Sequence, residues 1–398
     1  MTRTSRTTAL AVLLACAMPT AAVAQTLTAH TITVRETAGI RRTLFPVTAR
    51  VPLAKGALAD PANARLRAGD AETPVQLSAG SRWEDGSVRS LNVIFNVSLG
   101  PGESQTYRLE YGERVAPAAP TRGMAVTDDA DGVQAGNLKF SKRAGPLVVS
   151  ATYRGEFIAK GANGLSVVDT AGGRHEAGAS GPRETEVIER GPLLASIRYE
   201  YAIPIDPEYS AHATLTIEAP SSKSWLRAAV VVRDPAKRLR EIAFELPLAF
   251  AAHPWTWDLG TPNGTYGAFR SATDAAAFTY TVPARGAATW RVENGTKGEL
   301  RAYETSAGAR SLPVSGWLHV QDATRAVAFA LEGFGRSAGT HTIHIDGQGQ
   351  TAFSFAPLRP ATEHHLTVYA HFVATPIPIG AATSPASILA PLVITVGN

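Results

Sequence analysis

The densest run of chemistry-bearing side chains is His364-His-Leu-Thr-Val-Tyr-Ala-His-Phe372. Read as a strand, it places His365, Thr367, Tyr369 and His371 on one face and Leu366, Val368, Ala370 and Phe372 on the other. The apolar set packs on a core, so the polar set is either solvated or forms the floor of a groove. Tyr369 and His371 lie roughly 7 Å apart and can touch one sugar, whereas His365 and His371 are roughly 20 Å apart and cannot share a metal. An imidazole titrating near neutrality beside a phenol is a suitable base and acid for proton transfer, which makes His371 and Tyr369 candidate catalytic residues. Gly316-Trp-Leu-His-Val-Gln-Asp322 repeats the pattern, with Trp317, His319 and Gln321 opposite Leu318 and Val320. His319 is the supporting catalytic candidate.

Candidate ligand contacts lie in two further places. In His253-Pro-Trp-Thr-Trp-Asp258, Trp255 and Trp257 point the same way if extended, offering flat rings to the C–H face of a pyranose or closing a core edge. The loop that follows, Asp258 to Gly267, is rich in turn residues and carries the carboxylate of Asp258 and the phenol of Tyr266. Arg198 and Arg227 sit on strands and present the planar fork that binds a carboxylate in bidentate fashion. Two opposed carboxylates would permit glycoside hydrolysis, and Glu241, Glu245 and Asp258 are available, but spacing alone does not pair them. No H-E-x-x-H motif occurs, so zincin chemistry is excluded. Asp128-Asp-Ala-Asp-Gly132 offers calcium a set of carboxylates but lacks the glutamate of an EF-hand, so a solvated turn is favoured and no other cofactor is expected.

The elements that must hold these residues are strands. Period-two alternation recurs in Leu193 to Tyr201, Ala213 to Ile217, Ala276 to Val282 and Leu366 to Phe372. Pro61 to Gly69 and Ser271 to Ala277 are alanine-rich helical candidates of about two turns each, and 35 Gly and 26 Pro punctuate the rest. The expectation is an all-β chain: a small barrel over residues 25–115, a linker over 116–135 and a large antiparallel β-sandwich over 136–398.

Residues Gln76 to Gly112 are the most informative stretch. Asp85-Gly86 and Pro101-Gly102 are turn dipeptides, and Val93, Phe95 and Val97 alternate with Asn92, Ile94 and Asn96. Trp83-Glu-Asp-Gly-Ser-Val-Arg89 resembles the W-x-D-G-S-V-R hairpin of the N-terminal RIFT barrel in proteins related to exo-rhamnogalacturonan lyases. Val187-Ile-Glu-Arg-Gly-Pro-Leu193 resembles the central sandwich of the same group. The resemblance implies a carbohydrate-active protein. Full-length members also carry a helical toroid that houses much of their active site, and nothing after Phe250 reads as helix, so residues of that domain have no counterparts here.

Arg3 and Arg6, the apolar stretch Ala9 to Met18 and Ala22-Val-Ala24 form a secretory signal peptide with cleavage expected after Ala24. Leu13-Leu-Ala-Cys16 loosely resembles a lipobox, the less favoured alternative. No segment is long enough to span a bilayer as a helix. Cys16 is the only cysteine, which leaves the mature chain without a disulfide or a thiolate site. After cleavage, 36 Lys plus Arg oppose 34 Asp plus Glu, a balance that gives no ground for nucleic acid or anionic membrane as partner. The expected setting is periplasmic or secreted, and the expected partner a poly- or oligosaccharide. Three activities fit: a lyase eliminating across a uronate, a non-catalytic glycan-binding protein, and a glycoside hydrolase on the same scaffold. The lyase is the leading expectation, with Arg198 or Arg227 neutralising the carboxylate and His371, Tyr369 and His319 moving protons.

Overall fold

The computed structural model describes residues 28–118, 120, 123–306, 314–374 and 388–397. The signal-peptide reading of residues 1–24 lies outside the described residues, as do 119, 121 and 122 of the expected linker.

The protein is all-β. Neither alanine-rich segment forms an α-helix, since two turns cannot nucleate without tertiary support. Pro61–Asn63 is one 3-10 turn, capped by Asp60, whose Oδ1 accepts the Ala62 N–H at 2.9 Å; Ala64–Ala68 is then a strand. The second candidate runs into the strand Asp274–Val282.

The N-terminal unit wraps two sheets around one core that includes Ile32, Val34, Val47, Val93, Phe95 and Leu109. One has the strand order Val393–Gly397, Thr28–Arg35, Ser104–Tyr111, Ala64–Ala68, Ala71–Thr73; the other has Arg42–Pro52, Val88–Leu99, Gln76–Arg82. The turn at Asp85-Gly86 closes a hairpin between Gln76–Arg82 and Val88–Leu99. Asp85 Oδ1 accepts both the N–H and O–H of Ser87, and Gly86 adopts φ +82°. Pro101-Gly102 acts differently from a hairpin turn, because it passes the chain from the three-stranded to the five-stranded sheet. Strand Val393–Gly397 returns to pair with Thr28–Arg35, which ties the far end of the sequence into this unit.

The second unit is a sandwich. Its nine-stranded sheet has the order Glu184–Arg190, Leu194–Asp206, Tyr209–Pro220, Trp225–Arg233, Glu363–Val373, Ala326–Leu331, Trp317–Gln321, Trp255–Leu259, Tyr266–Phe269. An eight-stranded sheet, running from Arg174–Glu176 to Glu299–Thr305, packs against it. The shared core contains Tyr199, Val230, Phe244, Phe278, Phe329 and Phe353. Leu366, Val368, Ala370 and Phe372 enter this core as the alternation requires. A four-stranded sheet adds Val133 and Phe140 to the same core; two of its strands, Val126–Asp128 and Gly132–Ala135, fall in the segment read as a linker. In the acidic turn between them, Asp128 pairs with Lys142 and Arg190, and Asp129 accepts the N–H groups of Asp131 and Gly132.

Candidate functional site: a cleft between the two units

Register gathers most of the expected site residues, though not Trp255 and Trp257, on the outer face of the nine-stranded sheet. Trp225, His371, Ala328, His319, Asp258 and Tyr266 form one row across successive strands. Glu218, Arg227, Tyr369, Ala330 and Trp317 form the next. Directly paired residues project to the same side, so the two candidate strands share a face. His371 and His319 are nonetheless two strands apart, about 10 Å, with Ala328 between them.

Neighbouring groups settle what each residue can do. His319 is 5% exposed, with Nδ1 2.8 Å from Asp258 Oδ1, while its buried Nε2 has no partner. His371 is 8% exposed, lies edge-on to Trp225 at 5.7 Å between centroids and has no partner for Nδ1. Burial, and after it the nearby Lys223 charge, lowers the His371 pKa to about 4. The expected imidazole titrating near neutrality is therefore corrected. Burial also pushes the Tyr369 phenol up to about 12. Arg227 lies over the Tyr369 ring and pairs with Glu218 at 3.1 Å and Glu332 at 3.3 Å; Arg198 pairs with Glu186 and with Glu200. Both arginines, expected to meet a substrate carboxylate, are already met by carboxylates of the chain.

The tryptophan expectation is also corrected. Trp255 and Trp257 do share a face, but it is the inner one: they are 4% and 1% exposed and belong to the sandwich core with Leu259. Parity gives two faces and does not say which is covered. Gly267 lies over the second ring, where a Cβ would come within 2.3 Å of Trp257 Cζ2. Tyr266, on the outermost strand, is 71% exposed and accepts a hydrogen bond from Tyr303 at its carbonyl.

The principal cavity lies elsewhere, where the N-terminal unit meets the sandwich. It encloses about 800 Å³ and is lined on its polar side by Thr73, Asn96, Asn137, Ser221, Ser222 and Lys223. Asn137 and Tyr153 continue into an adjoining pocket of about 550 Å³ with Arg154, Ser224 and His371. Cross-unit hydrogen bonds fix its shape. Ser222 Oγ reaches Asn96 Oδ1 at 3.0 Å and Lys223 Nζ donates to the Thr43 carbonyl at 2.7 Å. Beside it, the buried Glu189 carboxylate accepts from Gln76, Ser78 and Asn92, while Gln76 Oε1 accepts the N–H groups of Leu193 and Leu194. Tyr153 stacks on Phe372 at 5.9 Å, and burial raises its phenol pKa. Lys223 is lowered by burial and by Arg42.

Of the expected residues, this cavity and its extension take in His371 alone, while Arg227 and Tyr369 line a separate pocket of about 210 Å³ between the two units, with Glu218, Trp225 and Phe45. Sequence reasoning missed Asn96, Asn137, Tyr153, Arg154 and Lys223. The available signals were modest: Ser221-Ser-Lys-Ser224 is a polar turn between two alternating strands, and Tyr153-Arg-Gly155 interrupts a strand-rich region.

The sequence matches no protein-family profile. Nor does it match a curated protein. Its fold is similar to two solved structures from Enterococcus faecalis. One is an alpha-mannosidase from strain V583, at a TM-score of 0.57 and 10% identity, with 93% of this chain and 46% of that one covered. The other is a protein in glycosyl hydrolase family 38, at 0.56 and 10%, with 93% and 47% covered. This chain spans about half the length of either. The likeness is one of fold, and it corrects the family expectation: the all-β architecture read as that of exo-rhamnogalacturonan lyase relatives is shared over nearly its whole length with these hydrolase structures.

Proposed function

We propose that the protein binds carbohydrate, non-catalytically, in the cleft between its two units. Amide, hydroxyl, phenol and ammonium groups converge there from both units, and such groups recognise sugar hydroxyls by directional hydrogen bonds from a largely preformed, concave surface. The observation that carries this reading is the lining itself: among the described residues it includes these groups and no carboxylate. Glycoside hydrolysis ordinarily requires two carboxyl groups flanking the bond, so the lining favours binding over cleavage. Elimination requires a base matched to the working pH, and a His371 of pKa about 4 is a weak one. The likeness of fold to two hydrolase-class structures supports a carbohydrate setting, in keeping with the export expected from residues 1–24.

Affinity electrophoresis through gels containing single polysaccharides, paired with assays of reducing ends and of unsaturated uronate absorbance, tests this reading. The expected result is retardation by at least one polysaccharide with neither product formed, and loss of retardation in Asn137→Ala and Ser222→Ala. Release of reducing ends would establish the hydrolase reading instead.

A further inference from the structure

The charge lining the cavity and its extension is of one sign: Lys223 and Arg154 line it, His371 is held neutral, and no Asp or Glu lines it among the described residues. Among the described residues the Lys223 ammonium meets only the Thr43 carbonyl and, at 5.9 Å, the ring of Trp225, and has no carboxylate partner. Arg154 is exposed and makes no hydrogen bond or ion pair among the described residues. Arg174, Arg190, Arg198, Arg227 and Arg238, elsewhere on the sandwich, are each paired with a carboxylate.

The backbone at Arg154 points the same way. Its φ is +58°, in the left-handed region, where a residue with a Cβ is strained and glycine is not. The chain places Gly155 beside it, yet holds a long cation at the strained position. Local strain of this kind collects where a side chain is held for ligand contact.

A cleft with low-dielectric walls and one sign of charge concentrates the opposite charge. We propose that the glycan held in this cleft is acidic, an oligosaccharide carrying carboxylate or sulfate groups, with Lys223 and Arg154 as its anion-recognising residues. This rests on the cleft being the glycan site. The guanidinium supplies a planar fork for two oxygens of one anionic group, and the ammonium supplies a compact charge for a neighbouring one. Asn137, Tyr153 and Ser224 lie along the same surface and serve the uncharged hydroxyls.

The test is isothermal titration with alginate oligosaccharides, with the same oligosaccharides after carboxyl reduction, and with sulfated carrageenan oligosaccharides. The wild type is expected to bind at least one acidic ligand about tenfold or more tightly than the reduced one; which acidic ligand binds identifies carboxylate or sulfate as the recognised group. Charge-assisted hydrogen bonds of this class correspond to losses of about tenfold or more for Arg154→Gly and for Lys223→Gln. Arg154→Gly has a second readout, because glycine adopts this φ freely: its thermal midpoint should equal or exceed that of the wild type. Equal affinity for acidic and reduced oligosaccharides, or undiminished acidic binding by Arg154→Gly, overturns the proposal while leaving the cleft as a site for neutral glycans. Failure of every oligosaccharide, acidic or neutral, to bind overturns the proposal and the functional reading together.

Discussion

His371 shows how its surroundings decide a side chain's role. Its strand position is the one expected, but burial beside Trp225 and Lys223 keeps the ring neutral down to about pH 4. The folded pKa lies below the ordinary value of 6.5, so the unfolded chain binds the proton more readily between those limits. This contribution to stability is therefore complete above about pH 6.5 and is lost as pH falls towards 4. His341, His344 and His364, also lowered by burial, add a loss of the same sign. Urea midpoints measured from pH 7 to 4 should fall for the wild type and fall less for His371→Gln, the two diverging by about 3 kcal/mol. A difference that stays constant with pH would mean that His371 is not held neutral. Trp257 makes the complementary case. As a core ring, its replacement by Ala should cost about 3–5 kcal/mol of stability in urea melts and leave glycan affinity of the folded fraction unchanged. A large loss of affinity in folded protein would return it to the binding surface.

At the scale of strands, the alternation in His364 to Phe372 correctly predicted a core face and a polar face, because period two is a property of the extended chain itself. It also brought Asp258, His319 and His371 to one side of one sheet. What it could not supply was the layer above that side. Whether a face is covered depends on strands distant in sequence, and so parity shows that Trp255 and Trp257 share a face without deciding between a sugar-facing surface and a core edge. The cleft was illegible for a related reason: Asn96, Asn137, Tyr153, Lys223 and His371 come from five separate segments, four of the sandwich and one of the N-terminal unit, brought together only by tertiary folding. That docking centres on Glu189, a buried carboxylate satisfied by donors from the N-terminal unit. Glu189→Ala strands those donors and should cost about 2–4 kcal/mol, with faster amide exchange at Leu193 and Leu194. Unchanged stability and exchange would show that Glu189 does not hold the joint.

The whole molecule is two β units joined at a preformed cleft, and its fold covers about half of two much longer hydrolase-class structures. Several of its carboxylates are spent on structure: Glu189 on the joint, Glu218 and Glu332 on Arg227, and Asp258 on His319. What remains around the cleft is a set of donors and neutral polar groups suited to holding a glycan. The most direct measurement is a crystal structure of the protein with an oligosaccharide selected by affinity electrophoresis. Sugar density between the two units, within hydrogen-bonding distance of Asn137, Ser222 and Lys223, is the predicted result. Sugar bound instead at the exposed edge around Tyr266, or along the row from His319 to Asp258, would contradict the assignment of the cleft.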